Sequence, residues 1–494
     1  MRADLRHPSD QPFGRTTRPR WHDQSRFAGI MARNFLKWIC AALVTASTVD
    51  AGMAAMPAPI SRLPATPERF IESVPAQASP AQAVAAWWTV FNDPVLDDLV
   101  ARASRSNTSL EQAAAHLAQV SAKLRGAAAT RLPTLDVSAS ASHQTGPLIN
   151  AAGGNGTLFN IGGSLSYEVD LLGRLSKSTH AARLDVQSHE ALLRSAVLMA
   201  QSETVQTYFE IRALDAELAV LAEIRETGLR TNAIVEGRFA RGLASELDVQ
   251  RARGEQGSID SDLAGLEQRR AQAVHSLAFV MGESPARLDF PQAQPGAPPA
   301  IPADIPSTML ARRPDVAAAE RALRATQLRL KIAQTSWLPR ILMTANGGVA
   351  SSALGDLLKS SAQSIGVGLL LSLPVFDGGR RKAGIAGATA DLELATVDYR
   401  AQILSAFRDV EDQLAAVRQS ALVETSAKAG SAASERALAI VQSRQVNGLA
   451  SDLELLDARR TALRCRRAEV HTHYARFIAA ATLVRALGGG WSTQ

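Results

Sequence analysis

The sequence predicts a mainly α-helical chain with a transmembrane β-strand portion, in which a unit of helix, two strands and a long helical hairpin occurs twice. Three observations carry that expectation. The composition is rich in Ala, Leu, Arg and Glu, which lose little freedom in a helix. The 22 prolines leave residues 148–284 and 375–494 untouched, so long helices can form there. Residues also recur at one constant spacing, the mark of tandem duplication.

That spacing is 206. Leu117 meets Leu323, Leu132-Pro133 meets Leu338-Pro339, Leu165 meets Leu371, and Gly173-Arg174 meets Gly379-Arg380. Gly242-Leu243-Ala244-Ser245 meets Gly448-Leu449-Ala450-Ser451, and Gly282 meets Gly488, without a slip in register. The period is too long for a solenoid, so the chain is two large copies of one unit.

In chain order, residues 1–30 are polar and rich in Arg, Pro and His, and read as a non-native extension before a true start at Met31. Residues 31–51 have the layout of a secretory signal peptide: Arg33 and Lys37, an apolar stretch of 11 residues, then the small-residue cleavage site Val49-Asp50-Ala51. That stretch is too short for a permanent spanning helix, and no later segment offers about 18 uninterrupted apolar residues, so strands must make any membrane insertion. Residues 52–86 are a linker. Cys40 sits in a poor lipid-attachment context, and with the signal removed Cys465 is the only cysteine, which excludes an intramolecular disulfide and a Cys-based metal cluster.

The first repeat covers 87–282. Leu135, Val137, Ala139 and Ala141 alternate with Asp136, Ser138, Ser140 and Ser142, and Phe159, Ile161, Gly163, Leu165, Tyr167 and Val169 alternate with polar or small residues. Period two predicts strands at about 134–146 and 157–169, joined by the Gly-rich turn 150–156. Each is near or above the roughly 9–11 residues that a tilted strand needs to cross a bilayer. The hairpin 174–282 follows: Ile211, Leu214, Leu218 and Leu221 form a narrow apolar stripe on a helix ending near Arg241, about 100 Å long at roughly 1.5 Å per residue. Gly242 supplies the left-handed residue that stops it, and Ser245 with Asp248 forms a capping box for the returning helix.

A Pro-rich linker at 283–306 precedes the second repeat, 307–488, with strands at about 340–350 and 363–375, a turn at 351–356 and a hairpin at 380–488. Phe407, Val410, Leu414 and Val417 repeat the stripe; Gly448, Ser451 and Glu454 repeat the tip. Residues 489–494 are a tail. Four strands cannot close a barrel and open edges are not tolerated in lipid, so the chain must oligomerise. Three copies would supply twelve strands, an allowed even number, although the arithmetic permits other multiples.

The net charge of +6 does not mark a nucleic-acid binder. Residues 1–51 hold eight basic against four acidic side chains, leaving only +2 on the rest. The chain has no HExxH, no GxGxxG after a strand, no phosphate loop and no GxSxG, so it is not expected to be an enzyme or to hold a cofactor. His471 and His473, two apart on a helix, diverge and would not share a metal. The basic run Arg459, Arg460, Arg464, Arg466 and Arg467 reads as a solvated face paired to neighbouring acids.

The segments AWWTVFNDPVLDDLV at 86–100, RLPTLDVSAS at 131–140, PVFDGGR at 374–380, NGLASDLELLDARR at 447–460 and ALGGGW at 486–491 resemble the TolC-like outer membrane factors, specifically the NodT-type efflux outer membrane proteins. The resemblance covers roughly 84–491. It implies a homotrimer with a twelve-stranded barrel in outer membrane lipid and a long α-helical barrel through the periplasm. It implies a passive, gated exit duct for small toxic or amphiphilic compounds, hence drug resistance, working with a periplasmic adaptor (membrane fusion) protein and an RND-type inner-membrane pump. By resemblance, Gly242, Leu243, Ser245, Gly448, Leu449 and Ser451 are the tips where the adaptor docks, and Leu453, Asp457 and Arg460 form the gate. The chain departs from many relatives in lacking a cysteine just after the cleavage site, which leaves attachment to the barrel alone. Alternatives are a duct for metal ions or for type I protein secretion and, in another class, a periplasmic coiled-coil scaffold without a pore.

Overall fold

The computed structural model describes residues 70–71, 86–144, 156–285, 299, 310 and 312–489. The extension 1–30, the signal segment 31–51, most of the linkers 52–86 and 283–306, the turn 150–155 and the tail 490–494 lie outside the described residues.

A 3-10 turn at Trp87–Phe91 leads into α1 (Pro94–Ser106) and α2 (Thr108–Ala129). Asp93 caps α1 by accepting the Val95 and Leu96 amides, and Pro94 stands at the first helical position, where a missing donor costs nothing. Then come β1 (Thr134–Gln144), β2 (Gly156–Val169), α3 (Arg174–Phe239) and α4 (Glu246–Val280). The second copy repeats the order with α5 (Pro314–Gln334), β3 (Arg340–Ser351), β4 (Gln363–Ser372), α6 (Arg380–Val446) and α7 (Asp452–Ala486). Helices α3 and α6 have 66 and 67 residues, so each runs about 100 Å. The connection after Ser351 holds two 3-10 turns, Leu354–Asp356 and Ser360–Ala362, instead of one simple turn. Strand β4 stops at Ser372, before Pro374, which lacks a ladder donor.

The four strands form one antiparallel sheet in the order β1-β2-β3-β4. Its register sorts residues by face. Leu135 pairs with Leu165, Leu165 with Ala345, and Ala345 with Val367; Tyr167 pairs with Met343, and Met343 with Leu369. On the opposite face lie Asp136 with Ser164, Ser164 with Asn346, and Asn346 with Gly366. The apolar face is exposed, with Val137, Ile365, Val367 and Leu369 uncovered. Among the described residues no helix is long and apolar enough to cross a membrane.

The main core lies among the helices. Phe91 sits 5.0 Å from Phe209, and Phe209 4.7 Å from Phe477, between ring centroids, which ties the N-terminal turn to α3 and α7 together. Trp87 Nε1 donates to Gln201 Oε1 at 3.1 Å, and the Tyr208 hydroxyl donates to the Asp93 carboxylate. A second cluster gathers Phe70, Val316, Ile403, Val410 and Leu483.

Candidate functional site: hairpin tips and a charged latch

Both hairpin tips are built alike. Gly242 takes φ 72 and Gly448 φ 73, conformations that a Cβ disfavours. The amide of Leu243 then reaches back to the Arg238 carbonyl at 2.9 Å, and that of Leu449 to Arg444 at 2.8 Å, closing each helix. Ser245 and Asp248 complete a reciprocal capping box at the start of α4, and Ser451 Oγ accepts the Glu454 amide at the start of α7. The turn chemistry uses the backbone and the serine oxygens, leaving the leucines projecting. Leu243 is 73% exposed and Leu449 68%, with Leu247, Val446 and Leu453 also uncovered. Each tip thus presents an exposed apolar knob.

One turn and more from the second tip, α7 is fastened to the first hairpin. Arg460 pairs with Glu255 of α4, across 205 positions. Arg459, buried on the same helix, donates through Nη1 to Thr231 Oγ1 of α3 at 2.8 Å. Arg467 Nη1 reaches Asp262 at 2.8 Å, and its Nε lies 3.7 Å from Glu217. Arg460, Arg467 and their acidic partners border a cavity of about 490 Å³ that Arg464 and His471 also line. The Glu255 carboxylate raises the Arg460 pKa above its ordinary value, with a smaller contribution from Asp457; burial lowers that of Arg459, opposed by Glu255.

The sequence-derived gate residues separate here. Arg460 enters the latch, but its partner is Glu255; Asp457, three residues before it, is exposed and makes no ion pair among the described residues. Leu453 stands uncovered beside the tip. Of the basic run, Arg459, Arg460 and Arg467 bridge to the other hairpin, whereas Arg466 stays near Glu435 and Glu469. Glu217, Thr231, Glu255 and Asp262 were not singled out by sequence. Their signal was available in the offset: no acid of the latch has an acidic counterpart 206 positions on.

A second charged node joins α6 to α7. Glu424, 4% exposed in its side chain, accepts from His473 Nδ1 and Lys428 Nζ at 2.9 Å each and from Arg476. Burial pushes its carboxyl up, but these hydrogen bonds outweigh that and hold it down to about 2. His473 therefore serves this node, and among the described residues no cluster of His, Cys, Asp and Glu could hold a metal.

The sequence matches the profile of the outer membrane efflux protein family twice, over residues 99–283 and 305–489. It is 32% identical over 418 residues to the outer membrane protein OprJ of Pseudomonas aeruginosa, covering 82% of this chain and 86% of OprJ. It is 31% identical over 418 residues to the cation efflux system protein CusC of Escherichia coli K12, covering 82% of this chain and 89% of CusC. The fold matches the outer-membrane channel OprN with a TM-score of 0.81 at 26% identity, over 87% of this chain and 98% of that one. It matches the open state of the Neisseria gonorrhoeae MtrE outer membrane channel with a TM-score of 0.77 at 28% identity, over 87% and 98%. The chain belongs to the outer membrane efflux protein family: it is an outer membrane channel component of an efflux system, with its strands in the membrane and its hairpins reaching into the periplasm.

Proposed function

We propose that three copies of this chain close into one gated duct for small toxic or amphiphilic compounds, and that the α4–α7 latch holds it shut. The sheet carries this reading. It has one apolar, exposed face and, among the described residues, leaves β1 and β4 paired on one side only. In lipid an open edge is untenable, so β4 of one copy pairs with β1 of the next until the ring closes at twelve strands. The apolar face then meets lipid and the Ser-, Asn- and Gly-rich face lines the lumen.

The knobs at Leu243 and Leu449, with Gly242, Ser245, Gly448 and Ser451 shaping them, suit docking by a periplasmic adaptor that links the duct to an RND-type inner-membrane pump. Docking at the tips would pull the α6–α7 hairpin away from α3–α4, against Arg460–Glu255 and Arg467–Asp262, with Leu453 and Asp457 facing the opening. Native mass measurement of the protein extracted from outer membranes into detergent tests the assembly. Three copies per particle are expected; a monomer in the soluble periplasm refutes it. A second reading, a duct for metal ions, draws on the 31% identity to CusC, a cation efflux protein. Deleting the gene separates them: sensitivity to amphiphilic drugs and solvents supports the first, and sensitivity to metal salts alone supports the second.

A further inference from the structure

We propose that the second repeat carries an oxyanion site where strands meet helices, formed by Arg340, Arg380 and Arg381, which takes a phosphate-bearing solute passing through the duct. A cavity of about 530 Å³ opens there, lined also by Ser372, Pro374 and Asp377. Of the three guanidinium groups only Arg381 is neutralised, its Nε 2.7 Å from Asp377 Oδ2. That carboxylate also accepts the Gly379 and Arg381 amides at 3.1 Å each, so the start of α6 is capped and Asp377 has little left for others. The side chains of Arg340 and Arg380 are exposed and make no hydrogen bond or ion pair among the described residues.

The duplication supplies an internal control. Arg380 corresponds to Arg174, which lies in a two-oxygen embrace with Glu168, Nη2 at 2.8 and 2.9 Å from its oxygens. At the position of Glu168 the second copy has Pro374. Arg340 stands where the first copy has Thr134, which is 3.0 Å from Ser166 Oγ, and Arg381 where it has Leu175. At the same junction Phe376 replaces Asp170, Asp377 replaces Leu171 and Trp337 replaces Arg131, so the second copy has one carboxylate fewer and one guanidinium more than the first. The first copy builds the same strand-to-helix junction without this excess, so folding the junction does not require this charge. An arginine fork matches phosphate oxygens in pairs, and several in one cleft focus a positive potential.

The face decides the source of the anion. Arg340 and Ser372 are cross-strand partners on the face that carries Thr344 and Gly368 four residues further along and Asn346 beyond them, with the Leu342–Leu370 pair between. On the duct reading, on which this inference rests, that face lines the lumen, and the ligand is a soluble oxyanion instead of a lipid headgroup.

The test uses full-length protein and inorganic tripolyphosphate. Calorimetry on the detergent-solubilised protein measures binding; planar bilayers of phosphatidylcholine, with tripolyphosphate added on the strand side, measure block of the current. The wild type should bind and be blocked, and R340Q/R380Q should weaken both by at least about tenfold. The Arg174→Gln variant, whose arginine is already paired, should match the wild type in both. Equal block in wild type and R340Q/R380Q overturns the site. Current that ignores tripolyphosphate but follows added phosphatidylglycerol gives the arginines to lipid, and a lower trimer melting temperature with unchanged block gives them to subunit contact; either overturns the proposal. Binding without any conductance would instead refute the duct and leave the anion site standing.

Discussion

Replacing Arg460 by alanine should open the channel, and the structure sets the size of the effect. The Glu255 side chain is 11% exposed, whereas that of Arg460 is 53% exposed. Removing the arginine strands a nearly buried carboxylate; removing the glutamate leaves a cation that can turn to water. A hydrogen bond to a charged partner contributes about 1.5–3 kcal/mol, and exposed ion pairs only about 0–1 kcal/mol, so this half-exposed pair belongs near 1–1.5 kcal/mol per protomer. Since about 1.4 kcal/mol is a tenfold change in an equilibrium, Arg460→Ala should raise the opening constant about tenfold for each protomer. Glu255→Ala should raise it less, the double variant should match R460A instead of summing, and the charge swap R460E/E255R should recover closure in part. Single-channel open probability in planar bilayers reads all four. Strictly additive effects, or an R460A trimer that stays as closed as the wild type, would refute the latch. Asp457→Asn should move the open probability less than R460A, because Asp457 acts on Arg460 only at a distance.

Glu424 gives a pH signature. Its folded pKa of about 2 lies below the ordinary 4.5, so its stabilisation is complete above about pH 4.5 and is lost as the pH falls towards 2. Glu424→Gln should lower Tm at neutral pH and flatten its dependence through that window; an unchanged slope means that other groups set it. Two glycine substitutions should differ in denaturant melts. Gly242→Ala, with φ 72 and nothing within 4 Å, should cost only the left-handed strain, about 1 kcal/mol. Gly282→Ala, at φ 66, places a Cβ 2.0 Å from the Ser106 carbonyl oxygen and should cost clearly more. The reverse order would contradict the packing. Leu243→Glu with Leu449→Glu should leave trimer stability unchanged, because both side chains are exposed, while abolishing cross-linking to the adaptor in cells. Undiminished cross-linking would move the docking surface elsewhere.

What could be read from sequence follows the range of the physics. The strands, the long helices and the tips are local matters: period-two runs, proline-free stretches, and a glycine placed before a capping serine each act within a few residues. The latch is not local. Glu255 and Arg460 meet because α4 and α7 both pack on α3, and the α3–α7 packing also brings Phe209 against Phe477. Spacing on one helix suggests Asp457 as the partner of Arg460; packing supplies a more buried one. The Glu424 node is illegible in the sequence for the same reason, since its partners His473 and Arg476 come from the opposite arm of the hairpin.

The constant offset turns this difficulty into an argument about how the latch arose. Arg253 is the first-copy counterpart of Arg459, and it pairs within its own hairpin with Glu236 at 2.9 Å. In the second copy Gln442 stands in place of that glutamate, and Arg459 reaches across to Thr231 instead. Glu255 corresponds to Thr461, Asp262 to Ala468, Arg460 to Gly254 and Arg467 to Ser261. The acids Glu255 and Asp262 thus have acidic side chains only in the first copy, and their partners Arg460 and Arg467 have basic ones only in the second. Two identical hairpins placed side by side would set like charges against each other, whereas these two attract only when unlike copies meet. Charge divergence between the copies therefore specifies the α4–α7 contact and rules out its symmetric alternatives, at the cost of a half-exposed seam. On the proposed gating, a seam of that kind is weak enough for a partner at the tips to part, and the buried aromatic node at Phe91, Phe209 and Phe477 would be the fixed end of the movement.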